Sequence, residues 1–273
     1  MNLAANVGFS TAGEAFDRVA ASYDELFTRT IIGQAQRKQV WKRLSQTFAP
    51  GERILEMNCG TGEDAIFLAT RGRSIVACDA SAEMIRMANA RILREAESAD
   101  VVFRHLSNED LRLLSRGKLF DGAYSNFSGL NCLSDLQPVA CELASLVRPG
   151  GHVLICLWSR VCVGEFVWYL FHGETSKAFR RFPGKAQAKV GGLTITVSYP
   201  TVGEVQRAFA PWFELEDRCA IGLFVPPSYV EGWARKHSTT LGYLEKLDET
   251  FAEFPVLRDL GDHVLMEFTR CNQ

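Results

Sequence analysis

The sequence predicts an α/β fold: a doubly wound, mostly parallel sheet covered by helices on both faces. Three observations carry this. Between residues 53 and 158 short apolar runs alternate with helical segments in five successive strand-type units, the pattern of a parallel sheet buried on both sides. The first of these runs, Arg53–Met57, passes straight into Asn58-Cys59-Gly60-Thr61-Gly62, a glycine turn with a helical segment beyond it, the layout that brings backbone close to a ligand. And 273 residues, 47% of them hydrophobic, with 18 Phe, 5 Trp and 6 Tyr, supply a core large enough for one such domain and exclude disorder as the main state.

The elements follow in order. A helical pattern from about Glu14 to Phe48 stops at Pro50-Gly51. After the first strand comes a helix from Glu63 to about Thr70, then a strand over Ser74–Cys78. The helix Ala82–Glu97 has Ser81 as its N-cap. Val101–His105 and Phe120–Ser125 are the third and fourth strands. Gln137–Val147 is a helix ending at Pro149-Gly150-Gly151, and His152–Trp158 is the fifth strand. Beyond Trp158 the alternation breaks. Gly164–Arg181 is an aromatic-rich helix, Gln187–Tyr199 a hairpin turning at Gly191-Gly192, Thr201–Phe209 a helix and Phe213–Val225 a strand. Pro226-Pro227 opens a second helical excursion, about 229–254, before a last strand at His263–Thr269. This divides the chain into a core with its N-terminal helices (1–158), an insertion (159–200), and closing strands carrying a second insertion (201–273). Such insertions are where specificity resides.

Charge and cysteine usage narrow the class. The net charge is −2, and it falls as −1 over residues 1–158, +4 over 159–200 and −5 over 201–273. That distribution offers no continuous basic face and argues against nucleic acid. Eight cysteines form no C-x-x-C pair. Met1–Ser10 has neither a basic residue nor an apolar run fit for an export signal, so free thiols in the cytoplasm are expected. The longest apolar runs fall short of the ~20 residues a bilayer span needs. No metal-ligand spacing is present.

Asp79 lies seventeen residues after Gly62, at the end of the second strand, where a carboxylate can accept both hydroxyls of a ribose. Gly60-Thr61-Gly62-Glu63-Asp64-Ala65 also fits the dinucleotide pattern G-x-G-x-x-A. A pyrophosphate at that helix N-terminus would meet Glu63 and Asp64 with like charge, so a ligand with a cationic centre and no phosphate suits the loop better.

These residues resemble a known family. Ile54-Leu55-Glu56-Met57-Asn58-Cys59-Gly60-Thr61-Gly62 looks like motif I of the class I S-adenosylmethionine-dependent methyltransferases, usually V-L-D-L-G-C-G-T-G. Phe16-Asp17-Arg18-Val19-Ala20 with Tyr23-Asp24 resembles the preceding helix of the ubiquinone/menaquinone-biosynthesis type. Phe120–Phe127 is similar to the family's fourth-strand motif, and Leu146–Gly151 to the turn into its fifth strand. The resemblance covers about residues 14–158. It implies a seven-stranded Rossmann-like sheet with an antiparallel last strand, His263–Thr269. It also implies S-adenosylmethionine as cofactor and transfer of its methyl group to O, N or C of a small molecule.

The same resemblance assigns site residues. Glu56 stands near the methionine amino group, and Asn58, Gly60 and Gly62 form the loop under methionine and ribose. Asp79 takes the ribose, with Ala80 and Met84 near the adenine. Ser125, Asn126 and Phe127 line the methionine side, and Tyr23 closes over the carboxylate end. Asn58 replaces the family's first glycine, and asparagine tolerates left-handed backbone better than most residues. Where the family has an acidic residue for the adenine amino group this chain has Ser107; Ser107, Asn108 or Glu109 makes that contact.

Of five histidines, His152 and His263 open strands, the end opposite the expected site, and are read as structural. His105 ends the third strand near the adenine. His172, on the aromatic helix of the first insertion, is the candidate catalytic base, with His237 a weaker one. The lid expected from Gly164–Tyr199 and Tyr229–Phe254 would cover the strand ends. Its aromatics Phe166, Trp168, Tyr169, Phe171, Phe179 and Phe182 would supply lid core and some pocket wall. Its basic residues Arg160, Lys177, Arg180, Arg181, Lys185 and Lys189 suggest an acceptor that is anionic or polar-headed, aromatic or isoprenoid-like. The competing readings are an RNA or protein methyltransferase, a nicotinamide-dependent oxidoreductase, and a cofactor-binding protein without transferase activity.

Overall fold

The computed structural model describes residues 7–114 and 117–272. The N-terminal segment 1–6, to which the expectation of no export signal refers in part, lies outside the described residues. In chain order the helices before the sheet are α1 (Val7–Asp17), α2 (Ala20–Tyr23), continued by a π turn over Asp24–Thr28, and α3 (Ile31–Thr47). Then come β1 (Arg53–Met57), α4 (Glu63–Ala69), β2 (Ser74–Asp79), α5 (Ala82–Glu95), β3 (Val101–His105), β4 (Phe120–Ser125), α6 (Gln137–Leu146) and β5 (Val147–Trp158). The first excursion holds α7 (Val163–Phe171), α8 (Thr175–Ala178) and the hairpin β6 (Lys185–Val190) and β7 (Leu193–Ser198). The chain closes with α9 (Val202–Phe209), β8 (Phe213–Ile221), α10 (Glu231–Lys236), α11 (Ser238–Phe251) and β9 (His263–Arg270).

Seven strands form one sheet in the order β3-β2-β1-β4-β5-β9-β8. β1 to β5 pair in parallel, and β9 lies antiparallel to both β5 and β8. Six strands therefore point one way and β9, second from the edge, points the other. The strand order reverses at β1, whose carboxyl end is the place where ligands bind such sheets. Alternation along the strands feeds two cores: Leu55 and Met57 pack with α6 and α9 on one face, while Ile54 packs with α3, α4 and α5 on the other. Among the described residues no helix is long and apolar enough to cross a membrane.

The expected single helix Glu14–Phe48 is broken twice, for reasons that are tertiary. Asp17, at the end of α1, accepts from Ser81 Oγ (2.6 Å) and from Glu83 N (3.0 Å), which ties α1 to the start of α5. α3 starts afresh at Thr30, whose side chain accepts from Gly33 N (2.9 Å). Glu231, from the distant α10, accepts from Ile31 N (3.0 Å) and Ile32 N (3.2 Å) and satisfies two more of the free amides of that helix end. The bent connection between α1 and α3 carries Tyr23, Phe27 and Thr28 to the sheet's carboxyl edge. The aromatic helix expected over Gly164–Arg181 also divides, into α7 and α8, and the strand expected over Phe213–Val225 stops at Ile221.

The hairpin turns at Gly191 and Gly192, both with positive φ (+56° and +80°), a geometry that favours glycine. A Cβ on Gly191 would lie 2.6 Å from Ala15 O, so the bare backbone is what lets the turn rest on α1. Ile195, Val197 and Tyr199 form a small core there with Ala15, backed by Phe16 and Trp158.

Candidate active site

β1 ends at Met57, and the loop after it is shaped by left-handed backbone: Asn58 at φ +57°, Gly60 at +52° and Gly62 at +81°. Asn58 tolerates this because its side chain is spent locally, its Oδ1 accepting from Ser125 Oγ (3.1 Å) and Asn108 Nδ2 (3.4 Å). Asp79, at the end of β2, turns its carboxylate to the same loop, accepting from Gly60 N (2.8 Å) and Ser81 N (2.9 Å). Burial raises its pKa, and those two amides pull it back down.

Above this loop lies a cavity of about 300 Å³. Of the residues singled out from sequence, it brings together Tyr23, Asn58, Gly60, Asp79, Ala80, Met84, Asn108, Asn126 and Phe127 as lining. Gly62 is not in the wall; it opens α4, with Phe103 and Ala88 packed against it. Ser125 lies beneath, bonded to Asn58. Glu56 is buried in β1 outside the wall, its Oε2 without a partner, and burial with Asp64 nearby pushes its pKa well up. Among the three candidates for the adenine contact, Asn108 lines the cavity, whereas Ser107 donates to Asp110 (2.9 Å).

The expectations for the first insertion are corrected. His172 does not line the cavity. It caps the end of α7, exposed, with its ring stacked on Trp168 (4.3 Å between centroids) and Nδ1 2.8 Å from Trp168 O. Its helical phase turns it away from the strand ends. The six aromatics are likewise absent from the wall: Phe166 packs on Phe179 and Phe182, Tyr169 stacks on Tyr229, Trp168 joins the α3–α10 cluster, and Phe171 is 86% exposed. The cover comes instead from the hairpin, through Ala188, Val190, Ile195 and Val197; the second excursion reaches the wall through Ser228, just ahead of its expected start at 229. The insertion's cations are occupied within the protein. Arg160 pairs with Glu204, Lys177 with Glu174, and both Arg180 and Arg181 with Glu165. Lys185 and Lys189 stand exposed on the hairpin outside the wall.

Sequence reading missed three wall residues with chemistry: Arg37, Asp262 and His263. Arg37 is buried, paired with Asp64, and lies over the rings of Phe127 (4.7 Å) and Phe27 (5.5 Å). Asp64 also accepts from Trp41 Nε1 (2.6 Å) and Asn126 Nδ2 (3.0 Å), while Glu63 pairs with Arg91. The like charge expected at the start of α4 is thus partly neutralised. Of the four carboxylates in the wall, Glu63 pairs with Arg91, Asp64 with Arg37 and Asp262 with Arg181, which leaves Asp79, held by backbone amides, as the one without an ion pair.

His263 was legible in principle. An antiparallel last strand begins at the carboxyl ends of the parallel ones, so a residue opening it sits at the site and not opposite to it. In the sheet His263 pairs with Trp158, the last residue of β5. Its ring stacks near Trp158 (6.1 Å) and meets Phe127 edge-on (5.7 Å). Burial pulls its pKa down from 6.5 to about 4, against the opposing pull of Asp262. The unfolded chain therefore binds this proton more readily than the folded one, and the histidine's stabilisation is lost as pH falls from its unfolded pKa toward 4. Between about pH 7 and about pH 5 this contributes roughly 2 kcal/mol. Urea unfolding at the two pH values should show that additional acid loss in the wild type and not in His263→Phe.

Gly60→Val is expected to damage binding more than folding. A Cβ at Gly60 would meet only Tyr23, at 3.9 Å, in otherwise open cavity. A β-branched residue at φ +52° costs about 1–3 kcal/mol of stability, measurable by thermal unfolding, while the side chain occupies ligand space. Affinity for S-adenosylhomocysteine, by calorimetry, should drop by about tenfold or more.

Comparison with known proteins agrees with this geometry. Residues 54–151 match the model of a methyltransferase domain. The chain is 31% identical over 144 residues to a demethylmenaquinone methyltransferase of Clavibacter sepedonicus, covering 53% of this chain and 56% of that protein. It is 29% identical over 147 residues to a 2-phytyl-1,4-naphtoquinone methyltransferase of Synechocystis sp., covering 51% and 59%. The chain thus spans little more than half the length of these curated relatives. Among solved structures, the [4+2]-cyclase SpnF shares the fold with a TM-score of 0.65 at 15% identity, covering 96% of this chain and 97% of that one. The N-methyltransferase NodS from Bradyrhizobium japonicum does so with a TM-score of 0.57 at 14% identity, covering 96% and 100%. In its sheet order and its glycine loop the chain shares the fold of these solved structures, and over residues 54–151 it matches a methyltransferase domain.

Proposed function

We propose that this protein transfers a methyl group from S-adenosylmethionine to an O, N or C atom of a small molecule. The observation that carries the reading is the cavity at the end of β1, floored by the glycine loop with the Asp79 carboxylate beside it and closed by an apolar hairpin. The residues present fit the cofactor. Asp79 is oriented by two backbone amides and accepts the ribose hydroxyls. Ala80 and Met84 flank the adenine, and Asn108 meets its amino group. Asn126 Oδ1 is a buried acceptor in the wall without a partner, suited to an ammonium group, and Tyr23 closes over the carboxylate. Bound there, the cofactor supplies an electrophilic methyl group on sulfur. The protein's part is to orient it, exclude water and hold the acceptor in line, which can supply ~7–11 kcal/mol of the barrier.

Support for a small acceptor over RNA or protein is the cover itself, since the hairpin walls the cavity with Ile195 and Val197. Phe27, Phe127 and Trp158 line it, which favours a planar aromatic acceptor such as the naphthoquinol class the relatives' names point to. The occupied arginines of the insertion remove the support for an anionic headgroup. Eight unpaired cysteines support work in the reducing cytoplasm. The test is calorimetric titration with S-adenosylhomocysteine and, separately, NAD, followed by transfer of labelled methyl to 1,4-naphthohydroquinone without oxygen. Binding of the first ligand alone, with label in the product, is the expected result. Tight NAD binding without S-adenosylhomocysteine binding would turn the reading to an oxidoreductase.

A further inference from the structure

Beside the glycine loop, the cavity has a second polar cluster that the cofactor roles leave unused. His263 is 3% exposed, and its Nδ1 has no hydrogen-bond partner. That nitrogen faces Asp262 Oδ2 at 3.5 Å. Asp262 is itself held from two sides, Oδ1 accepting from Arg181 Nη2 (2.7 Å) and Oδ2 from Gln36 Nε2 (3.3 Å). Burial opposes its charge, but His263, Arg181 and these hydrogen bonds keep its carboxyl below the usual range. Arg181 is locked in turn by Glu165 of α7 (Nη2 to Oε2 2.5 Å, Nε to Oε1 3.1 Å). Around the imidazole stand Trp158 and Phe127, and across Phe127 stands Phe27 (5.0 Å). A base backed by an oriented carboxylate, inside an aromatic slot, is an arrangement that takes a proton from a bound hydroxyl.

We propose that His263 is the catalytic base for a planar phenolic acceptor, with Asp262, braced by Arg181 and Glu165, as its positioning residue. This rests on the methyltransferase reading and specifies its acceptor. With Nδ1 turned to Asp262, the neutral imidazole keeps its proton on Nδ1 and offers Nε2 to the cavity. The acceptor's O–H bond breaks, its proton passing to Nε2 and its electron pair staying on oxygen. That pair forms the bond to the methyl carbon as the carbon–sulfur bond breaks and its electrons return to sulfur. The imidazolium so formed faces the Asp262 carboxylate.

The probes are 4-methoxy-1-naphthol, which has one ionisable hydroxyl, and 1,4-dimethoxynaphthalene, which has none. Both are titrated into the full chain loaded with S-adenosylhomocysteine. Wild type is expected to prefer the naphthol by about tenfold or more, the scale of one hydrogen bond to a buried, otherwise unpaired group. His263→Phe, which keeps a ring against Trp158, should bring the two affinities within about threefold. Labelled methyl transfer to the naphthol, giving dimethoxynaphthalene, should fall by roughly 10²–10⁴ in this variant. In nitrogen-15 histidine spectra of the wild type, the naphthol should move the His263 Nε2 resonance and the dimethoxy compound should not. Asp262→Asn should shift His263 toward the other tautomer, a change that a merely structural aspartate would not produce. Equal affinities in wild type, a preference retained in His263→Phe, turnover within about threefold of wild type, or a wild type that binds the naphthol without methylating it would each overturn the assignment. The spectra decide if His263→Phe does not fold. Failure to bind S-adenosylhomocysteine would sink the methyltransferase reading as well, whereas intact binding with no naphthol preference sinks only this inference.

Discussion

Replacing Asp79 with alanine is expected to weaken S-adenosylhomocysteine binding by about 3–5 kcal/mol, a loss of a hundredfold or more. The charged acceptor it removes serves two ribose hydroxyls, and hydrogen bonds to charged groups contribute ~1.5–3 kcal/mol each. The structure adds a second route to the same loss. Asp79 also accepts from Gly60 N and Ser81 N, so its removal frees the glycine loop and the start of α5 together. Asp79→Asn separates the two effects, because an amide oxygen can hold one backbone donor but offers no charge. Its affinity should fall between wild type and alanine. Unchanged calorimetric affinity in a folded Asp79→Ala variant would falsify the ribose assignment.

Arg181→Ala should cost about 3–5 kcal/mol of folding stability, the range for breaking a buried ion pair by deleting one partner. The guanidinium is 4% exposed and sits between two buried carboxylates, Glu165 and Asp262. It also donates to the backbone carbonyls of Asp262 (2.9 Å) and Ser159 (3.3 Å). Burial alone disfavours its charge, but Asp262 and Glu165 more than compensate. Glu165 retains Arg180 after the deletion, whereas Asp262 keeps only Gln36 and its neighbour His263. Denaturant unfolding reads the loss directly. Replacing Arg181 and Asp262 together with methionine and asparagine should recover much of it, since Glu165 still holds Arg180 and no carboxylate there is then left buried without a cation.

The core of the fold was readable from local pattern. Strand alternation, the glycine turn and the N-cap at Ser81 depend on residues within a few positions of each other, and there expectation and structure coincide: Arg53–Met57, Val101–His105 and Phe120–Ser125 end where the sequence puts them. The N-terminal helix, by contrast, breaks because Asp17 reaches Ser81 and Glu231 reaches Ile31, contacts that span 64 and 200 residues. No window of sequence contains both partners.

The site divides in the same way. Residues carried by strand ends and the loop between them, such as Asn58, Gly60, Asp79 and Asn126, arrive at the cavity because parallel strands all deliver their carboxyl ends to one edge. That much the sequence by itself determined: the sheet, the loop and the methyltransferase domain they match over residues 54–151. The direction in which the inserted side chains turn, and which charges cancel, only the tertiary structure decided. His172 rides on a helix whose rotation about its axis is set by packing against Tyr229 and Phe179, so a third of a turn moves it from roof to solvent. Arg180 and Arg181, free cations on paper, are consumed by Glu165. His263 enters because β9 runs against its neighbours, a choice made by strand pairing rather than by any residue near it. Periodicity specifies a face, but only packing specifies what that face meets.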